Sequence, residues 1–540
     1  MTKHNIRLIS TRWRETVTAF IPYLGKRQST RQVRDLQNQA EIAHIYILMS
    51  RYDEDNALSV RPDFGPGTTL VQMTEICSSS TIHLIASLSK TPFTLIYIQD
   101  DAQVTLGLNA LGRLACMADD TRAGLLYADY YLFSHNKFLP SPTIDYQLGS
   151  LRDEFNFGPL LFFRTEALLE AEGRIQVDYD DAGFYDLRLK LSERNALLHV
   201  SEYLYTCTYL RWFVPSEQKQ FAYVNPSYRE RQIEMEQACT DHLKAIGAYL
   251  DPVFEPVELG PAIGYHTLRT GGERLPTDRD TNAVSGGPHF PVEASVVIPV
   301  KDRFRTIRDA IASVFRQETT FPFNLIVVDN HSTDGTAQAI DAIQGHDNLI
   351  HLIPERTDLG IGGCWNLATH HPACGKFVVQ LDSDDAYAGT NALQTMVEAF
   401  YREQCAMVVG TYRLVDFQFE PTIEPGIIDH REWTEQNGRN NALRVNGLGA
   451  PRAFYSPLLR EIGLPNTSYG EDYAVGLAFC RRFRLGRVYD VIYLCRRWEG
   501  NSDHQLDVNR RNANDYYKDS IRTQEVKARM ALGKRPEANH

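Results

Sequence analysis

LDSDD (381–385) places Asp382, Asp384 and Asp385 within four positions. Carboxylates one residue apart at a strand end can turn the same way and share one hard divalent cation. Mg²⁺ and Mn²⁺ take oxygen ligands, commonly one or two carboxylates plus substrate phosphates. The plainer alternative is an acidic turn capping the helix expected near Thr390. A second group, VVDNHSTDGT (327–336), offers Asp329 and Asn330 to the amide or ring nitrogens of a base. It does so on a turn entering a helix N-terminus, which also favours phosphate. The turn GIGG (360–363) could let backbone approach a diphosphate, although it lacks the G-x-G-x-x-G spacing. In YGEDYAV (469–475), Glu471 and Asp472 precede AVGLAFCRRF, where their charge also suits the helix dipole. CRRWEGNSDH (495–504) groups Arg496, Arg497, Trp498 and His504. Arg forks match phosphate oxygens bidentately, though the same cluster could be a solvated basic face. Trp365, Trp433 and Trp498 are candidate sugar platforms or core residues.

Positioning such groups requires strands that end where they begin. SVVIPV (295–300), LIVVDN (325–330), LIHLIP (349–354), KFVVQLDSDD (376–385) and AMVVGTY (406–412) are short and largely apolar. Helical spacing lies between them, over Arg303–Gln317, from Ser332 or Thr333 as N-cap, and over 390–403. Strands alternating with helices predict a parallel sheet covered on both faces, with ligands beyond the carboxyl ends of the strands. Lys301–Asp302, Asp329–Asn330 and Asp382–Asp385 fall at those ends.

In order, SVVIPVKDR, VVDNHSTDGT, LGIGGCWN, VVQLDSDDAY and YGEDYAVGLAF resemble the inverting family-2 glycosyltransferases of the GT-A fold, over about residues 293–505. The resemblance implies that Asp382, Ser383 and Asp384 form the D-x-D element contacting donor ribose and metal-bound diphosphate, with Asp385 an alternative to Asp384 as metal ligand. It implies a nucleotide site of Pro299, Val300, Lys301, Asp302, Asp329, Asn330, Gly360, Gly362 and Asn366, joined by Arg496 and Arg497. It makes Asp472 the base that deprotonates the acceptor, with Glu471 as support or acceptor contact. Lys301 stands where many members carry a base-stacking aromatic, and Asn330 where many carry Asp. The expected reaction is transfer from a nucleotide-diphosphate sugar, UDP-sugar favoured, to a glycan, lipid-linked or protein-linked acceptor in surface polysaccharide assembly, with Mn²⁺ or Mg²⁺ as cofactor. A non-catalytic glycan- or nucleotide-sugar-binding protein and a bifunctional enzyme are the rival readings. A nicotinamide oxidoreductase lacks its glycine fingerprint after the first strand.

The first half carries a fainter copy. TPFTLIYIQDDA (91–102) parallels KFVVQLDSDDA, and FYDLRLKL (184–191) parallels DYAVGLAF (472–479), with Phe184 opposite Asp472. Asp100 and Asp101 survive, but no counterpart of VVDNHSTDGT is evident before residue 91. The expectation is therefore α/β, with two tandem GT-A-like, Rossmann-like, mostly parallel sheets. A degenerate domain would occupy 1–250, a Pro/Gly-rich linker 251–292, the catalytic domain 293–505 and a helical surface tail 506–540.

Composition sets the outer limits. The chain has 540 residues, 56 Lys+Arg against 68 Asp+Glu for a net charge of −12, and 43% hydrophobic residues. That excludes wholesale disorder and disfavours nucleic-acid backbone binding. Nine cysteines without C-x-x-C pairing suggest free thiols. With no apolar h-region in MTKHNIRLISTRWRET and no membrane-length apolar run, the expected location is the cytoplasm, with peripheral contact at the inner membrane face.

Overall fold

The structure, a computed structural model, describes residues 11–50, 64–99, 101–210, 225–264, 290–343, 345–422, 426–501 and 506–533. The chain divides into two compact units. Residues 11–210, 228–249 and 506–533 form the first, and 225–227 and 250–501 the second.

In the first unit, β1 (Val17–Pro22), β2 (Ile42–Ser50), β3 (Thr68–Met73), β4 (Phe93–Tyr97), β5 (Ala102–Leu106), β6 (Leu125–Ser134), β7 (Lys137–Ser141), β8 (Leu160–Arg164) and β9 (Leu197–Tyr209) make one sheet. Their order is β3-β2-β1-β4-β8-β6-β9-β5, with β7 on β6. Helices α1 (Ser79–Leu88) and α2 (Gly183–Ser192) matter below. The sheet buries VTAFIP and FTLIY completely, as expected for strands covered on both faces.

The second unit repeats this plan. Its elements are β10 (Ala294–Val300), α3 (Ile307–Phe315), β11 (Phe323–Asp329), β12 (Leu349–Leu352), α4 (Ile361–His370), β13 (Phe377–Gln380), β14 (Ala386–Tyr387), α5 (Ala392–Glu403), β15 (Met407–Val415), β16 (Ile427–Ile428), β17 (Arg452–Tyr455), α6 (Glu471–Arg482) and β18 (Leu485–Arg496). The order β12-β11-β10-β13-β17-β15-β18-β14, with β16 on β15, matches the first unit strand for strand. Buried Ile307, Ala310, Ile311 and Val314 give α3 the apolar stripe its spacing predicts. Both units are α/β sheets of the same topology. They are mixed rather than mostly parallel, because β17 runs against both β13 and β15. An apolar run carries no mark of strand direction, so the sequence could not show this.

Two segments depart from expectation. Residues 251–264 are no loose linker: Arg439 Nη1 donates to the carbonyls of Asp251 at 2.6 Å and Val253 at 2.5 Å, and Lys376 Nζ reaches Pro261 O at 2.9 Å. The rest of the Pro/Gly-rich stretch, 265–289, lies outside the described residues. The expected surface tail is α7 (Val508–Leu532), and it belongs to the first unit. Asp519 and Arg522 on it are fully buried and paired at 2.9 Å, and Arg152 Nε lies 3.3 Å from Asp519. Gly149 permits the approach, since a Cβ there would lie 2.2 Å from the Thr523 amide. A polar composition misled here because α7 buries ion pairs, Asp519–Arg522 and Glu525–Arg529, beside Ile521 and Val526. Among the described residues no helix is long and apolar enough to cross a membrane.

Candidate active site

The carboxyl ends of β10, β11 and β13 converge with the N-terminus of α6. β13 stops at Gln380, so the chain turns through Asp382–Asp385 before the short β14. Gln380 Nε2 donates to Asp382 Oδ1 at 2.8 Å, and the Asp382 amide donates to the Tyr493 hydroxyl at 3.0 Å. Asp384 Oδ2 accepts from Trp498 Nε1 and Asn501 Nδ2, both at 3.1 Å, and Arg303 Nε stands 3.9 Å away. Asp385 turns inward: it is buried, and its Oδ1 accepts the Arg496 amide at 2.8 Å. Of the two alternatives for the second metal ligand, the geometry favours Asp384.

Gly470, at φ 74, takes the left-handed conformation that starts α6. It is followed by Glu471 and Asp472 in the first turn, where the helix dipole favours negative charge. Asp472 Oδ1 accepts the Tyr473 amide at 2.7 Å, and Oδ2 pairs with Arg452 Nη1, also at 2.7 Å. Glu471 is buried and its Oε2 has no hydrogen-bond partner. Burial, then the Asp472 carboxylate, push its carboxyl up to about 8. Burial raises Asp382 as well, and burial with Asp384 and Asp382 nearby lifts Asp385 well above the carboxylate range.

Carboxyls thus outnumber guanidiniums in the cluster, and Asp382 and Asp384 are half-buried rather than sealed. Both features suit a hard divalent cation held by Asp382 and Asp384. Among the described residues no three His, Cys, Asp or Glu side chains are grouped to hold a metal, so the protein would supply only part of the ligand set.

At the ends of β10 and β11, Val300 pairs with Asp329, and the Asn330 amide donates to Val300 O at 2.8 Å. Asp329 is 1% exposed; its Oδ1 accepts the Ser332 amide and its Oδ2 lacks a hydrogen bond, with His351 Nε2 3.7 Å away. Asn330 Nδ2 donates to Leu359 O at 2.7 Å, leaving Oδ1 buried without a partner. Asp302 shapes the same turn by accepting the Thr333 amide at 2.7 Å, while Lys301 is exposed. The following helix starts at Thr336 with Gly335 at its N-cap, neither Ser332 nor Thr333, and Asp334 Oδ1 accepts the Thr336 amide at 3.0 Å. Pro299 and Val300 hold the strand end as expected, and Ser383 is buried with its carbonyl accepting from Thr306.

Several expectations are corrected. A Cβ on Gly360 would lie 2.5 Å from Thr467 C, and one on Gly362 1.9 Å from Pro465 O. These glycines admit the chain's own 465–467 segment, not a diphosphate. Asn366 is occupied with the same segment, clasping Leu464 through N and O at 3.0 and 2.8 Å. Arg496 is fully buried, its guanidinium on Phe419 at 4.0 Å and paired with Asp309 at 2.8 Å, so it cannot fork a phosphate at the surface. Arg497 donates its amide to Val415 O at 2.8 Å. Trp365 and Trp433 are core residues, the first edge-on to Phe454 and the second beneath Arg487. Only Trp498 reaches the site. His504 lies outside the described residues. Missed were Gln380, Arg452, His351, Tyr493 and Asn501, whose sequence neighbourhoods carry no signal beyond polarity; Arg303 was visible only as the end of VKDR.

Residues 295–451 match the family model described as glycosyl transferase family 2. That match lies wholly within the second unit. Glycosyltransferase GlyG of Streptococcus pneumoniae is 25% identical over 118 residues, 22% of this chain and 38% of that protein. TuaG of Bacillus subtilis, a glycosyltransferase whose name assigns it to teichuronic acid biosynthesis, is 30% identical over 121 residues, 22% of this chain and 47% of that protein. The chain therefore spans less than half the length of these curated relatives. S. aureus TarS 1–349, solved with UDP-GlcNAc, overlaps 44% of this chain and 73% of its own at 21% identity and a TM-score of 0.33, a likeness that bears on neither site nor substrate.

Proposed function

We propose that the second unit transfers a sugar from a nucleotide-diphosphate donor to a glycan or glycoconjugate acceptor, with inversion at the anomeric carbon. The observation that carries this reading is the meeting of two carboxylate pairs, Asp382/Asp384 beyond β13 and Glu471/Asp472 at the start of α6, linked through Arg452 and Gln380. Asp472 takes the acceptor hydroxyl proton as that oxygen bonds to the anomeric carbon; the bond to the diphosphate breaks on the opposite side, and the leaving group keeps the electron pair. Asp329 and Asn330 offer buried acceptor oxygens to N–H groups of the base. Asp382 and Asp384 would hold Mn²⁺ or Mg²⁺, which when bound neutralises charge developing on the leaving diphosphate. A UDP-sugar is the favoured donor, and the relatives' names point to a surface polysaccharide acceptor, reached from the cytoplasmic side. The first unit, which lacks the base, would serve acceptor binding or assembly.

The test is a panel of UDP-, GDP- and dTDP-sugars incubated with Mn²⁺ and candidate glycan acceptors, with product configuration read by NMR. Product of inverted configuration from one donor supports the proposal. Donor binding without turnover or hydrolysis would favour the binding-protein reading instead.

A further inference from the structure

Arg452 is assigned no role by the family motifs, yet it stands between the two carboxylate pairs. It opens β17, the strand antiparallel to β13, and its amide donates to Gln380 Oε1 at 3.2 Å. Gln380 in turn donates to Asp382. Arg452 Nη1 is anchored on Gly449 O at 2.7 Å and contacts Asp472 Oδ2 at the same distance, with the side chain 11% exposed. The charged and titratable groups facing it are Asp472 and Glu471 from α6, Asp382 from the end of β13, and Tyr493 from β18.

We infer that Arg452 is a positioning residue for the transfer: it fixes the Asp472 carboxylate toward the acceptor and keeps it ionised in a crowd of acids. The geometry supplies the reason. Asp472 lies beside Glu471 and near Asp382, and like charges so close compete to stay protonated. A proton resting on Asp472 would disable it as a base. The buried guanidinium favours the ionised form at Asp472, and its anchor on Gly449 O restricts the carboxylate to one orientation. Because one oxygen is held by the Tyr473 amide and the other by Arg452, the remaining lone pairs have a defined direction.

This inference rests on the proposed base role of Asp472, so Asp472→Asn is measured alongside. In the full-length protein, Arg452→Gln should lower kcat roughly 10²-fold near neutral pH and move the acid limb of the acceptor kcat/KM profile upward by about one pH unit or more. Binding of UDP with Mn²⁺, read by calorimetry, should stay within about threefold, since the change lies in the transfer step. Arg452→Lys keeps the charge and should leave the limb near its native position, with kcat reduced. A loss equal at every pH, or one that follows UDP affinity, overturns the positioning role. If Arg452→Gln does not fold, Arg452→Lys decides: a flexible ammonium stem does not reproduce the planar guanidinium that presents Nη1 to both Gly449 O and Asp472 Oδ2, so unchanged kcat overturns the inference. If Asp472→Asn turns over at the native rate, the base assignment itself falls; if it is inactive while Arg452→Gln keeps the native limb, only the role of Arg452 falls.

Discussion

Where β11 ends in Asp329, the matching strand β2 of the first unit reaches Met49. The shared registers, with Pro22 opposite Leu48 and Pro299 opposite Val328, set this correspondence. By the same pairing Leu70 occupies the place of His351. Phe93 and Phe377 hold equivalent positions beside β1 and β10, so Ile98 stands at Asp382 and Asp101 at Asp385. Helices α2 and α6 begin with Gly183–Phe184 and Glu471–Asp472 respectively. By the same count in sequence Asp100 stands at Asp384, so the last two acids of the trio are retained, while the counterparts of Asp329, Asp382 and Asp472 are apolar. Even the close helix contact is kept with its members exchanged. In the second unit Gly362 leaves room for Glu471, whose Cβ would be 3.1 Å from an added methyl; in the first, Gly183 leaves room for Ser79. The comparison teaches that the sheet tolerates apolar residues in place of Asp329, His351, Asp382 and Asp472, because its packing does not depend on them.

The strongest way to break the comparison is to remove the outward acids. Asp382→Asn with Asp384→Asn should cost roughly 10³-fold or more in turnover, and EDTA should mimic it with Mn²⁺ restoring activity. Asp101→Asn should leave turnover within a few-fold of native; Asp100, its neighbour, lies outside the described residues. Equal losses from both would make this a two-site enzyme. Asp472→Asn comes next, lowering kcat by about 10²–10⁴-fold while UDP binding persists; single-turnover assays separate the two.

A smaller effect should separate the units by stability. Asp519→Ala removes the buried carboxylate that Arg152 and Arg522 share, which should cost about 3–5 kcal/mol. Calorimetry should show the first unit melting earlier while the second is unchanged. The least effect concerns Glu471. Its carboxyl is raised from an ordinary 4.5 to about 8, so the folded protein retains a proton that the unfolded chain has released. Stability therefore falls as pH rises from about 4.5 to 8, with Asp382 and Asp385 acting in the same sense. Glu471→Gln should flatten part of that slope and raise Tm by a few degrees at pH 8, with little change at pH 5; an unaltered slope would place the raised group elsewhere.

Much of the site was legible because its residues sit where strands end, and the apolar runs of β10, β11 and β13 mark those ends. Asp329, Asp382 and Asp472 were found this way or through their ordered motifs. The glycines of GIGG were misassigned because a close approach looks the same in sequence whether the visitor is a diphosphate or residues 465–467. The counterpart of β11 in the first unit was missed because Met49 stands where Asp329 marks the strand end.

The sequence by itself determined the local periodicities, the strand-end acids and the repetition of the unit, since each is written in neighbouring residues. Only the tertiary structure decided the direction of β17, the burial of Arg496, the return of α7 to the first unit and the pairing of Arg452 with Asp472. These depend on residues far apart in the chain. Whether a charge is buried, paired or open to a ligand is set by what the fold brings to its side, 20 residues away for Arg452 and Asp472 and 367 for Arg152 and Asp519.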